Sequence, residues 1–210
     1  QGEQLSKIYA QRFLVATGEI DPVWKVMDPT GILVCAHEGR AAERPRISGT
    51  GEGAFISWVD HRNWIDSLQR PTEIRLQYLL STTAAPPSGS AWDPTGTRVS
   101  AGVVDYNQSF QEMALDDIWW DLAPQEDAQG VVLVYQDERD TDQNGTHIPN
   151  VWADAFDRMG NRVWGDLRMD ATTAWQVLPR IVTIDSTDYG YVVVWEDARA
   201  GHSDIYAQRV

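Results

Sequence analysis

Cysteine is almost absent from the 210-residue chain, which contains only Cys35. A single cysteine excludes an internal disulfide and cannot supply a cluster of thiolate metal ligands. Its apolar neighbours predict a buried, unreactive thiol rather than a nucleophile. A catalytic cysteine would also need a positioned histidine, and the four histidines are scattered along the chain, at His37, His61, His147 and His202.

Lysine and long apolar runs are also scarce. The 17 basic residues include only Lys7 and Lys25 as lysines, against 31 acidic residues, and the net charge is -14. This balance argues against nucleic acid as a partner, because phosphate backbones are bound by clustered Lys and Arg. No apolar run approaches the roughly 20 residues of a membrane span, so no membrane span is predicted.

The residues that are present repeat themselves. Three segments share a glycine, an apolar run and an aromatic-x-Asp-x-Arg ending, at 53–62, 130–139 and 190–199. The glycine-to-aromatic spacing is five residues in each segment. The three endings are Trp58, Asp60 and Arg62, then Tyr135, Asp137 and Arg139, then Trp195, Asp197 and Arg199.

Three further elements alternate with this one. Asp-x-x-Gly recurs at 28–31, 93–96 and 157–160, each time before a short strand-like piece. Ile-Tyr-Ala-Gln-Arg occurs at 8–12 and 205–209, with related segments at 74–78 and 151–155. Pro-Arg-Ile occurs at 45–47 and 179–181, and Pro124 stands in its place in the middle copy. The unit is therefore about 65 residues long and holds four short strands.

These units predict an all-β fold of four-stranded antiparallel sheet repeats, like a β-propeller that is partial or completed by oligomerisation. The expected divisions are a partial repeat at 1–44, repeats at 45–102 and 123–166, an insertion at 103–122 and a partial repeat at 167–210. Runs such as Val192–Val194 are continuously apolar, which is typical of strands buried on both faces. The best helix candidate is the stretch from Ser109 to Leu122.

The repeated aromatic residues are expected to fill the space between neighbouring sheets, because aromatic side chains bury large areas. The following Asp is expected to cap backbone N–H groups at the strand exit, and the Arg to bridge to a neighbouring carboxylate. A group present in every unit is typical of a scaffold, whereas an active site is usually unique. No catalytic residue is predicted.

Two stretches are candidate sites. Trp119 and Trp120, beside Asp116, Asp117 and Asp121, could stack on sugar rings, with Trp64 and Trp92 in other loops adding to the platform. The alternative is that these aromatic residues plug the fold or cover a sheet edge. Asp140, Asp142 and Asn144, followed by Gly145, resemble the start of a calcium loop, although the later bidentate Glu is absent. The alternative there is a solvated loop without a cofactor.

The combination of Gly-x4-Trp-x-Asp-x-Arg, Asp-Ile-Tyr-Ala-Gln-Arg and Asp-x-x-Gly resembles a propeller-like repeat of large secreted and surface-attached bacterial proteins. The match is strong at 190–209 and 151–165 and looser at 45–102, where Tyr78 replaces the terminal Arg and Ser100 stands in the place of Trp164. The resemblance implies a secreted or cell-surface location and a binding or structural role. It brings no catalytic residues with it.

Three functions follow as hypotheses. The first is a non-catalytic extracellular module for adhesion, carbohydrate binding or surface assembly, with a glycan or a surface protein as partner. The second is a propeller glycoside hydrolase, which needs two carboxylates across a cleft, although the Asp box of sialidases (Ser-x-Asp-x-Gly-x-Thr-Trp) is absent. The third is self-association into a ring or fibre through complementary terminal strands, since two complete units are too few for a propeller.

Overall fold

The computed structural model describes residues 6–35, 41–62, 72–99, 108–116, 130–184 and 190–210. Within these ranges the chain forms thirteen strands and one short helix, which confirms the all-β class. The strands make several small antiparallel sheets, none of which closes on itself. None of the described helices is both long and apolar enough to cross a membrane.

The chain begins with an N-terminal strand pair, β1 (Tyr9–Ala10) and β2 (Ile32–Leu33), with the helix α1 (Pro22–Met27) between them. The side chain of Asp21 accepts a hydrogen bond from the backbone N–H of Val23 at 2.9 Å, and Pro22 occupies the first turn. An acidic N-cap followed by proline is a common way to start a helix.

Three larger sheets follow. The first sheet contains β3 (Ala42–Gly49), β4 (Gly53–Asp60), β5 (Glu73–Leu80) and β6 (Thr97–Arg98). The second sheet contains β7 (Gln108–Asp116), β8 (Gly130–Thr141), β9 (His147–Asp157) and β10 (Arg162–Arg168). The third sheet contains β11 (Gln176–Ile184), β12 (Gly190–Asp197) and β13 (Asp204–Arg209). Every strand pairs antiparallel with its neighbour in sequence within its sheet.

One strand lies where the sequence predicts an insertion. Residues 108–116 form β7, the first strand of the second sheet, whereas the sequence predicts that strand near Pro124. The helix predicted from Ser109 is therefore wrong over its described part. Pairing with the apolar strand β8, as in Met113 opposite Leu133, outweighs the weak local preference for helix.

The Asp-x-x-Gly segments form tight turns, as expected from their glycines. In each turn the glycine N–H donates to the carbonyl of the aspartate, at 3.3, 2.8 and 3.1 Å along the chain. The glycines have positive φ angles of 117°, 92° and 86°, a region that other residues adopt only with strain. The turns are Asp28–Gly31, Asp93–Gly96 and Asp157–Gly160.

The sheets stack face to face, and the alternating sides of their strands fill successive cores. In β4, Phe55 faces the second sheet, whereas Ile56 and Trp58 face the N-terminal strand pair. In β8, Tyr135 faces the first sheet, whereas Val134 faces the third. The second strand of the unit is thus buried on both faces in the first two sheets, as its continuous apolar sequence predicts. The same prediction is wrong for Val192–Val194 in β12, because Val192 and Val194 lie on the side away from the second sheet and are only half-buried.

Candidate functional site

Trp58, Asp60 and Arg62 form a hydrogen-bonded group where β4 ends. The strand period of two places Trp58 and Asp60 on the same side, and Trp58 Nε1 donates to Asp60 Oδ2 at 3.0 Å. Arg62 donates to both carboxylate oxygens, each at 2.8 Å, and its backbone N–H donates to Oδ1 at 2.9 Å. Asp60 is buried, and both of its oxygens are occupied. This arrangement confirms the predicted strand-exit turn and is called the aromatic–Asp–Arg group below.

The remaining donors of Arg62 reach the turn between β5 and β6. Nη1 donates to Thr95 Oγ1 at 2.8 Å, and Nη2 donates to the Thr95 carbonyl at 2.5 Å. The neighbouring Cys35 Sγ lies 3.8 Å from Asp60 Oδ2. Cys35 is buried, so the expectation of an enclosed thiol is confirmed. The first group therefore joins three segments of the chain into one rigid corner.

The third sheet repeats this geometry. Trp195 Nε1 donates to Asp197 Oδ2 at 3.1 Å, and the Arg199 backbone N–H donates to Oδ1 at 2.9 Å. The Arg199 guanidinium binds Asp197 at 2.5 Å and Asp170 at 2.6 Å. Asp170 precedes the third sheet, so the predicted bridge from Arg to a neighbouring carboxylate is present. Gln176 adds a fourth donor to the Asp197 carboxylate, at 3.0 Å.

The second sheet modifies the group, because its aromatic residue is a tyrosine. Arg139 donates to Asp137 through its backbone N–H at 2.8 Å and through Nη2 at 2.6 Å, and it also binds Asp166 at 2.6 Å. Tyr135 instead donates its hydroxyl to Asp154 Oδ2 at 2.6 Å. The Tyr135 phenol therefore stabilises a second buried carboxylate, that of Asp154, while Arg139 binds Asp137.

Asp154 is a buried acid that the sequence did not single out. It exposes no surface, and it forms an ion pair with Arg162 on the neighbouring strand β10. The repeat itself marks this position. The related segments have Gln11, Gln77 and Gln208 there, and only the middle copy has a charged residue. Its pairing with a tyrosine and an arginine assigns it to the interior of the second sheet.

These contacts shift the titration of three aspartate carboxyls. Burial raises the pKa of Asp60, but the hydrogen bonds from Arg62 and Trp58 outweigh it and hold the pKa below its ordinary value. Burial also opposes ionisation of Asp197, yet Arg199, Gln176 and Trp195 hold its pKa well below the usual range. The pKa of Asp166 is lowered in the same way, since Arg139 and Arg162 outweigh its desolvation. All three are therefore ionised at neutral pH.

The lowered pKa values predict acid sensitivity. As pH falls through about 4, the unfolded chain takes up protons on these aspartates before the folded chain does, so protonation favours unfolding. We expect the free energy of unfolding to be nearly constant above about pH 5 and to fall steadily below about pH 4. Urea titrations at a series of pH values measure this. Asp197→Asn should show a shallower fall, and a wild-type profile that stays flat down to about pH 2 would contradict the account.

The aromatic–Asp–Arg groups are poorly suited to acid–base or nucleophilic chemistry. A general acid must hold a proton near neutral pH, whereas Asp60 and Asp197 are kept ionised by their arginines. A glycosidase needs one carboxyl group with a raised pKa and a second, ionised carboxylate, and both must face a cleft. Among the described residues, no cluster of three or more His, Cys, Asp or Glu side chains could hold a metal ion.

The candidate calcium residues lie in the hairpin between β8 and β9 and have separate partners. Asp142 Oδ1 accepts the backbone N–H groups of Asn144 at 2.8 Å and Thr146 at 2.9 Å, which closes the turn. Asp140 forms an ion pair with Arg168 at 3.3 Å. Asp142 thus closes the hairpin turn, and Asp140 binds Arg168 on the neighbouring strand β10.

The aromatic platform is only partly within the described residues. Trp92 lies in the core, with 6% of its surface exposed, packed between Phe55 and Phe156, and its Nε1 donates to the Arg158 carbonyl at 2.8 Å. This placement corrects its assignment to a ligand platform, because no ring face is left for a sugar. Asp116 ends β7. The other proposed members lie outside the described residues: Trp64, Asp117, Trp119, Trp120 and Asp121.

A groove that the sequence did not predict runs between the N-terminal strand pair and the first sheet. It has a volume of about 300 Å³ and an apolar lining that includes Phe13, Trp24 and Ile47. The Ser81 carbonyl at its wall accepts hydrogen bonds from Trp24 Nε1 at 2.9 Å and from Arg12 at 3.1 Å. Its residues come from separate segments, so no local motif could have shown it.

No family model, curated protein or solved structure matches the chain. The class that the geometry defines is an all-β scaffold of stacked antiparallel sheets, tied at the strand exits by aromatic–Asp–Arg groups. The functional interpretation accordingly depends on the repeat and on these contacts.

Proposed function

We propose that the chain is a non-catalytic module of β-propeller type that acts outside the cell in adhesion, carbohydrate binding or surface assembly. The observation that carries the proposal is that the repeated aspartates are buried and paired with arginine. Asp60, Asp137 and Asp197 are each 2% exposed or less and paired with an arginine. The residues that recur in every unit therefore build the scaffold, and function is left to surfaces and loops between the units.

The stacking of the sheets supports the propeller type. Each sheet is an antiparallel meander, each stacks on the preceding one through its aromatic second strand, and the unit repeats along the chain. A propeller arranges such sheets around an axis and uses neighbouring blades to bury their faces. The resemblance to repeats of secreted and surface-attached bacterial proteins supports the location and the choice of a glycan or a surface protein as partner.

The experiment is a paired binding and turnover assay of the intact chain. We expect binding to one or more polysaccharides or surface glycans on an array, with no new reducing ends released from the bound glycan. Asp60→Asn and Asp197→Asn serve as matched variants, which should lower the Tm and leave the affinity of the folded fraction unchanged. Release of reducing ends that a carboxylate substitution abolishes would contradict the proposal and favour the glycoside hydrolase.

Calcium is the one cofactor that the sequence suggests, and the hairpin geometry leads to an expectation about it. Because Asp142 closes its own turn and Asp140 pairs with Arg168, binding would have to break both contacts. We therefore expect millimolar calcium to leave the Tm unchanged relative to a chelator control. A rise in Tm that Asp142→Asn abolishes would contradict this and establish a calcium site.

A further inference from the structure

One position of the repeat is buried in every layer except the last. Ile8, Ile74, Val151 and Ile205 begin the four related segments. The first three are 4%, 0% and 0% exposed, and each packs toward the next sheet along the chain. Ile205 is 72% exposed. Its side chain occupies a surface that a following sheet covers in the other three layers.

The neighbouring strands extend this surface. Val192 and Val194 of β12 are only half-buried, whereas their counterparts Val132 and Val134 in β8 are 1% and 0% exposed. Val182 lies opposite Val192 on β11 and is 59% exposed. Val182, Val192, Val194 and Ile205 form an apolar strip on the outer side of the third sheet, which is called the C-terminal face below.

The N-terminal strand pair exposes residues at repeat positions that are buried in the second sheet. Tyr9 pairs with Leu33, on the side of the N-terminal strand pair away from the first sheet, and the two are 55% and 38% exposed. The counterpart of Tyr9 in the second sheet is Trp152, which is 9% exposed and packs against the first sheet. Tyr9 and Leu33 are called the N-terminal face below.

Phe13 shows a related difference, and its ring lines the groove toward the first sheet. It is 58% exposed, whereas its repeat counterparts Leu79 and Phe156 are 4% and 2% exposed. In the second sheet, Trp152 and Phe156 both bury their rings against the first sheet. Tyr9 therefore exposes an aromatic ring at a position that contacts a preceding sheet elsewhere in the chain.

We propose that these two faces bind each other between copies of this chain, head to tail. The contact continues an interface that the chain already makes at each of its internal layers, with the same repeat positions on each side. Both faces carry exposed apolar side chains, with Arg180, Glu196 and Arg209 beside the strip on the C-terminal face, and the first and second sheets separate the two faces within one copy. The contact is heterologous, so successive copies form a closed ring or a filament. It joins sheet faces, and it is distinct from pairing between terminal strand edges.

The sharpest test uses one variant for each face. We expect wild-type chain to show concentration-dependent masses at multiples of 23.6 kDa in sedimentation or light scattering. Ile205→Lys and Tyr9→Lys should each be monomeric on their own, because a buried lysine disrupts an apolar contact. An equimolar mixture of the two should form dimers and nothing larger, because each variant keeps one intact face and only one intact contact is available.

Folding and specificity have their own controls. Ile205 and Tyr9 are both largely exposed in the single copy, so the variants should keep the circular dichroism spectrum of the wild type. Val163→Lys, at a 40% exposed position on β10 outside both faces, should associate like the wild type. The mass assay is independent of the glycan array, so this contact and the proposed function can fail separately.

Two results would overturn the proposal. A wild-type chain that stays at 23.6 kDa at every concentration would show that copies of this chain do not cover these faces. A mixture of Ile205→Lys and Tyr9→Lys that stays monomeric, beside an associating wild type, shows that copies meet through other surfaces.

Discussion

Replacing Asp60 by alanine is expected to lower the free energy of unfolding by about 3–5 kcal/mol, the usual cost of removing one partner from a buried ion pair. The carboxylate accepts hydrogen bonds from Trp58 and Arg62, and both partners are nearly enclosed. Alanine removes the carboxylate that neutralises the Arg62 charge and leaves the indole N–H of Trp58 without its acceptor. Urea unfolding followed by tryptophan fluorescence measures the loss.

Asp204→Ala is the matched control for this prediction. Asp204 also lies in a strand next to a turn, and its carboxylate contacts His202. Its side chain is 45% exposed, and that of His202 is 70% exposed. Exposed pairs contribute little, so the change should stay within about 0.5 kcal/mol. Equal losses for Asp60→Ala and Asp204→Ala would show that the aromatic–Asp–Arg group does not hold the sheet together.

Replacing Gly96 by alanine is the second substitution with a large expected effect. Gly96 closes the Asp93–Gly96 turn with a φ of 92°, and a Cβ at this position would lie 2.3 Å from Cζ2 of the Trp58 ring. Backbone strain and overpacking each cost about 1–3 kcal/mol, and Trp58 is fully buried and cannot move aside without opening a core. We expect a loss of about 3 kcal/mol or more in the same urea assay.

Two other glycines separate the cost of backbone strain from the cost of the steric contact with Trp58. Gly89 has a φ of 74°, and a Cβ added to it would meet no heavy atom within 4 Å, so Gly89→Ala should show the backbone cost alone, about 1 kcal/mol. Gly51 has open space and no positive φ, so Gly51→Ala should be neutral or slightly stabilising. A loss at Gly96 no larger than that at Gly89 would mean that the contact with Trp58 is unimportant.

Much of the fold could be predicted from the repeat itself. Equal spacing of Gly, aromatic residue, Asp and Arg located β4, β8 and β12, because a continuous apolar run between a glycine and a polar turn has few other outcomes. The turn role of Asp60 and Asp197 was also accessible, since Asp two residues before Arg at a strand end can accept the backbone N–H. Local sequence chemistry determines these features.

The features that escaped prediction depend on distant partners. Residues 108–116 have no strong strand pattern of their own, and β7 is defined by its pairing with β8. Trp92 lies in a loop rich in Pro, Ser and Gly, a composition that favours exposure, yet the sheet-to-sheet gap between Phe55 and Phe156 encloses it. The groove beside Trp24 likewise arises only when separate segments meet.

The stacking of the sheets underlies both the scaffold and the head-to-tail contact, and native-state hydrogen exchange tests it most directly. The second sheet lies between two others, so the amides of Val131–Tyr135 in β8 should exchange only through global unfolding. The amides of β13, at the open end, should exchange through local opening with much weaker protection at low protein concentration. Equal protection of β8 and β13, or faster exchange in β8, would contradict the stacked arrangement.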